Sequence, residues 1–226
     1  MTTRLFTKSN SLIQYVSDIH LEKGFKRLIN PKKPYLLLGG DIGIPRSLEY
    51  KQFLFDMSNN FDKIFVISGN HEYDFSKNIN DVEQEINDIC SAKNNLIYLQ
   101  KKSYLLCEIN NIHIAGCTFW SKLPKSKFQY HLDHKTWLEK LLINNKNNNY
   151  VIATHHCPLL QCLNKSSNNY THNYFASEQS DIVKMDNVIN WIHGHSHINK
   201  NFSLYGKWIL SNQYGSYKNP LYNYNI

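Results

Sequence analysis

Several protein classes are ruled out by what this sequence lacks. No apolar run approaches the roughly 20 residues that a membrane-spanning helix needs, and the opening MTTRLFTKSN has no signal-peptide core. The expectation is a soluble, cytoplasmic protein with no membrane partner. Cysteine is scarce. The five (Cys90, Cys107, Cys117, Cys157 and Cys162) are odd in number and show no paired C-x-x-C spacing. That argues against a disulfide framework and against a zinc ribbon. They read as small buried apolar residues, although Cys157 follows a histidine pair and has the chemistry of a soft metal ligand. Glycine and proline are sparse, at 9 and 6, and neither an internal repeat nor a domain linker is visible. Acidic residues are outnumbered 18 to 25 by Lys and Arg, giving a formal charge of +7 and a pI near 9.0. An anionic partner suits this balance. Basic residues form only modest clusters at 23–33 and 122–127, a weak sign of nucleic acid and a fair one of anionic substrates generally.

A 42% hydrophobic fraction with 13% aromatics, at mean hydropathy −0.49, is ordinary for a folded chain with a polar surface. At 226 residues it fits one domain, 1–226. "LIQYVS", "PYLLLGG" and "DKIFVISG" read as strands, alternating with helical patterns in "SLEYKQFLFDMS" and "INDVEQEINDIC". Such continuous apolar strands predict a sheet covered on both faces. From Leu96 the pattern changes. "LIYL", "SYLLCEI" and "IHIAGCTFW" suggest a second group of strands, and "HKTWLEKLLIN" a helix with Trp137, Leu138, Leu141 and Leu142 on one stripe. "YVIATHH" and "NVINWIHG" are further strands, and "KNFSLYG" and "KWILSN" a hairpin turning at Gly206. Residues 161–180 are polar and without period, and read as a long loop.

Five apolar strands end in residues that bind metals. "YVSDIH" supplies Asp18 and His20, and two residues apart on an extended segment both can reach one ion. "LLLGGD" delivers Asp41, "VISGNHE" Asn70 and His71, "VIATHHCP" His155 and His156, and "WIHGHSH" His195 and His197. In an open α/β sheet, ligands gather beyond the carboxyl ends of the strands. A set of Asp, Asn and His donors that needs no thiolate suits two octahedral or five-coordinate divalent ions rather than a tetrahedral structural zinc. Each motif is weak alone, and the five together are specific.

D-x-H, G-D, G-N-H-[DE], H and G-H-x-H, in that order, resemble the signature of the calcineurin-like metallophosphoesterases, particularly small bacterial-type members of unassigned specificity. Here they are Asp18-Ile19-His20, Gly40-Asp41, Gly69-Asn70-His71-Glu72, His155 and Gly194-His195-Ser196-His197. The resemblance implies an α/β, four-layer α/β/β/α sandwich, with two mixed sheets flanked by helices, and a dinuclear metal centre. It implies that Asp18, His20 and His197 hold one metal and Asn70, His155 and His195 the other, with Asp41 bridging. His71 is implied as the catalytic group facing the substrate. The doubled histidine leaves His155 or His156 open as the ligand; position after the strand favours His155, leaving His156 on the substrate side. Glu72 reads equally as a cap of the following turn, and His193 as an ordinary strand-end histidine.

The implied reaction is hydrolysis of a phosphodiester or phosphomonoester by hydroxide generated between two cations, with His71 assisting the leaving oxygen. Manganese is the expected ion, and iron, zinc, cobalt and magnesium suit the same donors. Ile44 stands where protein phosphatases of the superfamily carry an acid that orients the catalytic histidine, which argues against that activity. "FWSKLPKSKFQY" mixes aromatics with Lys122, Lys125 and Lys127, and segments 119–134 and 161–180 are candidate lids. Lys122 and Lys125 are candidate contacts to a small, nucleotide-like phosphorylated substrate. Two other readings stay open: a nuclease acting on single strands or ends, and a non-catalytic scaffold, which predicts missing ligands. Oligomeric state is not legible.

Overall fold

The computed structural model describes residues 12–24, 29–76, 78–164 and 169–214. The strands are β1 (Ile13–Val16), β2 (Tyr35–Gly39), β3 (Lys63–Ile67), β4 (Leu96–Tyr98), β5 (Lys102–Cys107), β6 (Ile112–Cys117), β7 (Asn149–Thr154), β8 (Val188–His193), β9 (Phe202–Leu204) and β10 (Lys207–Ser211). The α-helices are α1 (Leu48–Ser58), α2 (Ile79–Ser91), α3 (Phe128–Asn144), α4 (Asn169–Phe175) and α5 (Ser180–Val183). One sheet has the order β1-β2-β3-β4 and the other β5-β6-β7-β8-β10-β9. The first is parallel throughout, not mixed as the resemblance implied. In the second, β6, β7, β8 and β10 run parallel, and β5 and β9 pair antiparallel at its two edges. All parallel strands of a sheet therefore end on one side, which is what lets their terminal residues meet.

Strand alternation builds the layers. In the first sheet Val16, Leu36, Leu38, Ile64 and Val66 pack with Tyr50, Leu54 and Met57 of α1 and Val82 and Ile86 of α2. Their neighbours Tyr15, Leu37, Phe65 and Ile67 point the other way and pack on Ile112, Ile114, Val151, Ala153 and Ile192 of the second sheet. The far face of that sheet, through Ala115, Cys117, Tyr150 and Ile152, is covered by Leu138 and Leu142 of α3 and by α5. Two sheets face to face with helices outside give four layers, and each central strand is buried on both faces. That explains why these strands read as apolar runs instead of alternating ones. The sheets are also stitched at one edge: Ser17 N–H donates to Asn212 O at 3.1 Å and Asn212 Nδ2 to Tyr15 O at 2.7 Å. The hairpin forms as expected, with Tyr205 and Gly206 both left-handed (φ 53° and 73°), the geometry of a tight two-residue turn.

Three elements differ from the sequence reading. β4 ("LIYL") does not begin the second group of strands but completes the first sheet, parallel to β3. α3 begins at Phe128, not at His134. Its first two turns carry buried His131 and His134, whose rings satisfy backbone groups, Trp120 O at 2.5 Å and Phe119 N at 2.9 Å, so a polar stripe hid a packed face. Segment 161–180 is not one long loop: α4 lies within it, and α5 begins at its end. Both are too short to show a period, and tertiary hydrogen bonds position their surroundings.

The inter-sheet layer should dominate stability. Ile114→Ala, fully buried between the sheets, is expected to cost about 2–5 kcal/mol in urea unfolding, whereas Ile109→Ala, 93% exposed, should stay within about 0.5 kcal/mol.

Candidate metal centre

Five strand ends converge. Asp18 and His20 follow β1, Asp41 follows β2, Asn70 and His71 follow β3, His155 follows β7, and His195 and His197 follow β8. One ligand atom from each of Asp18, His20, Asp41 and His197 lies within 4.8 Å of the others, and the same holds for Asp41, His155 and His195. Asp41 is common to both sets. Asn70 joins the second through Oδ1, 3.1 Å from His155 Nε2.

The backbone reaches this arrangement by leaving the extended conformation. Asp18, His20, Asp41, His195 and His197 all adopt left-handed φ, between 52° and 68°. The two D-x-H and H-x-H pairs therefore do not share a face because the strand continues. Each side chain is re-aimed by its own left-handed turn, a region that Asp and His tolerate better than most residues. The turns are then tied together. Asp18 N–H donates to Gly40 O (2.9 Å), His20 N–H to Asp41 O (3.0 Å) and Gly194 N–H to His155 O (2.9 Å). His195 N–H reaches both oxygens of Asp18 at 3.2 Å, linking β8 to β1.

Partners on the far ring nitrogens fix which nitrogen faces inward. His20 Nδ1–H donates to Glu22 Oε1 at 2.8 Å and His155 Nδ1–H to Gly39 O at 2.9 Å, leaving Nε2 of each for a ligand. His195 Nε2–H donates to Tyr174 O at 3.1 Å, leaving Nδ1. Such second partners are the usual support of ligating imidazoles. Asp41 Oδ2 lies 3.2 Å from His155 Nε2 and 3.9 Å from His20 Nε2. Burial works to raise the Asp41 carboxyl, but the His155 imidazole outweighs it and holds the group well below the usual carboxylate range. Burial, reinforced by His155, pushes His195 down to about 3, so its ring is a neutral donor at physiological pH.

The donors fit divalent cations. Asp41 Oδ2 and His20 Nε2 are both buried and have no hydrogen-bond partner. Polar atoms stranded in an interior are costly unless something satisfies them, and here they face the other ligand atoms. Oxygen and imidazole donors without thiolate suit manganese, iron, cobalt or zinc alike.

Glu72 does not cap the turn that follows it but holds the turns that precede it. Its carboxylate accepts from the backbone N–H of Asp41 (3.0 Å), Ile42 (2.7 Å) and Gly69 (2.8 Å), clamping the turn after β2 to the turn after β3. Burial and then the charge of Asp41 push its carboxyl up to about 8, with the amide donors opposing. Gly69 is needed at the same place, since a Cβ there would collide with Asp41 Oδ1.

His71 stands 42% exposed above the centre, with Nε2 4.0 Å from Asp41 Oδ2 and its N–H donating to Asp41 Oδ1 at 2.8 Å. Nδ1–H donates to Asp74 Oδ2 at 2.5 Å. Burial lowers its pKa, and Asp41 followed by Asp74 more than restores it, for a net rise. An acid thus contacts His71 from Asp74, three residues on, and none stands at Ile44. The sequence reading missed it, although an acid three residues after the histidine, within one helical turn, was the available signal.

A cavity of about 430 Å³ opens beside the centre, lined by His71, Trp120, Lys127, His156, Phe175 and His195 among others. His156 Nδ1 accepts from Ser121 N–H at 3.3 Å, which puts the ring proton on Nε2, a buried atom without a partner. Burial, then His195 and His155, hold this imidazole neutral, well below its ordinary pKa. Lys122 and Lys125 are exposed and do not line the cavity; Lys127 does, its Nζ 4.8 Å over the Trp120 ring. Gln213, also missed, accepts from His197 N–H at 2.5 Å and braces the last ligand turn.

A family model of calcineurin-like phosphoesterases matches residues 13–199. The chain belongs to that family. It is a metallophosphoesterase, a hydrolase of phosphoester bonds, and all the motif positions that carried the resemblance lie within the matched region. The chain is also 30% identical to uncharacterized protein L509 of Acanthamoeba polyphaga mimivirus, over 273 aligned positions that cover 95% of this chain and 94% of L509. Among solved structures, the phosphopantetheinyl hydrolase PptH of Mycobacterium tuberculosis superposes with a TM-score of 0.70 at 15% identity, covering 90% of this chain and 89% of that one. A putative 5'-nucleotidase from Staphylococcus aureus gives 0.54 at 14% identity, covering 88% and 48%. GAP50 of Plasmodium, described as the anchor in the inner membrane complex, gives 0.56 at 11% identity, covering 88% and 70%. At these identities the structural likeness establishes the fold.

Removing the clamp should uncouple the two turns. Glu72→Ala strands three buried amides, each worth about 1–3 kcal/mol, so unfolding should show a loss of about 3 kcal/mol or more. Gly69→Ala should lower bound metal per chain, read by elemental analysis, by displacing Asp41. Unchanged metal content in Gly69→Ala would contradict this geometry.

Proposed function

We propose that this metallophosphoesterase hydrolyses a small, nucleotide-like phosphoester at a dinuclear centre. The observation that supports the reading is Asp41, whose fully buried carboxylate is common to both groups of candidate ligand atoms. Asp18, His20 and His197 would hold one cation, Asn70, His155 and His195 the other, with Asp41 shared and manganese the first ion to test. Bound there, two divalent cations supply Lewis acidity to a phosphoryl group and make water acidic enough to react near neutral pH.

The chain's own residues do the rest. His71 holds a proton on Nε2 for the departing oxygen, and Asp74 on Nδ1 fixes the ring and favours its charged form. His156 Nε2–H, neutral and without a partner, is a donor for a phosphoryl oxygen. Trp120, Tyr174 and Phe175 give the cavity aromatic walls suited to a planar base, and Lys127 a single positive charge for a second anionic group. A space of about 430 Å³ is within the range of small-molecule sites. Two of the structural relatives carry names of enzymes for small phosphorylated compounds, a phosphopantetheinyl hydrolase and a putative 5'-nucleotidase, which agrees with this size.

The nuclease reading rests on the +7 charge and on Lys122 and Lys125, exposed on the segment that carries Lys127. GAP50 shows that an anchor can share this fold, but a scaffold has no need of a full ligand set, and every motif ligand is present here.

The purified protein with manganese, screened against nitrophenyl esters, cyclic nucleotides, dinucleotides and single-stranded DNA, should turn over a small ester or nucleotide. Preference for long DNA with steep salt dependence would favour the nuclease instead. Asp41→Asn should abolish activity and reduce bound metal. His71→Ala should lower kcat by about 10²–10⁴-fold with metal content unchanged. If both variants kept full activity, the proposed reaction would be wrong. Trp120→Ala and Lys127→Ala should raise KM for a nucleotide more than for a nitrophenyl phosphate.

A further inference from the structure

A second group of metal-ligating side chains lies outside the centre just described. Cys157, Cys162 and His193 each offer a ligand atom within 4.8 Å of the other two, and all three residues are buried. Cys157 lies just past β7, Cys162 ends the 3-10 turn Leu160–Cys162, and His193 closes β8. Cys157 Sγ is 3.3 Å from His193 Nδ1 and 3.4 Å from Gly194 O. His193 Nδ1 is itself 3.1 Å from Gly194 O, so a carbonyl oxygen borders the same space as the two sulfurs and the imidazole. The outer ring nitrogen, His193 Nε2, is buried without a partner.

We propose that Cys157, Cys162 and His193 form a separate, thiolate-containing site for one zinc-class cation, with Gly194 O positioned as a fourth donor. Bond lengths of about 2.3 Å to sulfur and 2.0–2.1 Å to nitrogen place tetrahedral donors about 3.3–3.8 Å apart. The sulfur–nitrogen and sulfur–oxygen spacings here, 3.3 and 3.4 Å, and the nitrogen–oxygen spacing of 3.1 Å are each within about 0.3 Å of what such a site needs, so the donors would move apart only slightly. Two thiol protons leave to solvent when the ion binds, and no oxidant or reductant is needed. The donor chemistry sorts the sites: nitrogen and oxygen in the phosphoesterase centre, sulfur with nitrogen here. The role is structural. His155 and His195 belong to the phosphoesterase centre, while Cys157 and His193, each two residues away in sequence, face this cluster. An ion here would pin together the ends of the two strands that present those ligands. This inference stands independently of the proposed reaction.

Cobalt reports thiolate ligation directly. Protein kept reduced and reconstituted with Co²⁺ should show an intense near-ultraviolet sulfur-to-cobalt charge-transfer band, saturating at one ion per chain and displaced by Zn²⁺. Asp41→Asn should retain that band, because Asp41 contributes nothing to the sulfur site. Cys162→Ser should lose it and bind one ion fewer than wild type. Absence of the band from wild-type protein saturated with Co²⁺ overturns the proposal without recourse to any variant. So does its persistence in Cys162→Ser, or recovery of a disulfide-linked Cys157–Cys162 peptide from the reduced, metal-loaded protein. Loss of phosphoesterase activity with the band intact would count against the proposed reaction alone and support the separate site.

Discussion

The arrangement of this molecule hangs on one buried carboxyl group outside the candidate ligand groups. Glu72 gathers three backbone amides from two different strand connections. Without that acceptor, the turns carrying Asp41 and Asn70 would each bury unsatisfied donors, and the shared ligand would lose its fixed position relative to its neighbours. The demand is strict because the surroundings exclude water. Glu72 is 3% exposed and Asp41 fully buried, so no solvent molecule can substitute cheaply. The parallel order of β1 to β4 brings the turns to one side of the sheet, and the clamp converts nearness into register.

Much of this was legible from residue order alone. Continuous apolar strands announced sheets covered on both faces, and the Asp, Asn and His residues at the five strand ends announced the side chains that the fold brings together. Less legible was how the ligands are aimed. Period-two reasoning put Asp18 and His20 on one extended face, whereas both are left-handed, and backbone handedness leaves no mark in a pattern of hydrophobicity. The supporting residues were harder still. Asp74 supports His71 from a position three residues on, while the acid had been sought near Ile44. Glu22 acts through one hydrogen bond to His20, and Gln213 through bonds to His197, Ser196 and Ile198, and neither forms a motif. The first turns of α3 were missed because His131 and His134 are polar by type but packed in place.

The cavity shows how two unremarkable segments become a site wall. Ser121 Oγ donates to Tyr174 O at 2.6 Å, Leu123 N–H to Asn173 O at 3.2 Å, and Lys122 N–H to Ser177 Oγ at 3.2 Å. These bonds fasten the stretch before α3 to α4 and the residues after it. Tyr174 then turns its carbonyl to His195, so the wall of the cavity and the orientation of a ligand share one residue. The cavity wall and the candidate ligand His195 are joined through the Tyr174 carbonyl, so a change of side chain at 174 would alter the wall and leave that backbone contact in place.

The left-handed ligands carry an evolutionary consequence. A residue with a Cβ in that region costs on the order of 1 kcal/mol relative to glycine, which visits it freely. Five such positions sum to a load of about 5 kcal/mol, comparable with the whole stability margin of many domains. At each of the five, glycine would relieve backbone strain and delete a donor in the same step. Selection for robustness alone would therefore erode this centre first, and a lineage that keeps Asp and His at all five positions is one in which the chemistry has gone on being worth that load.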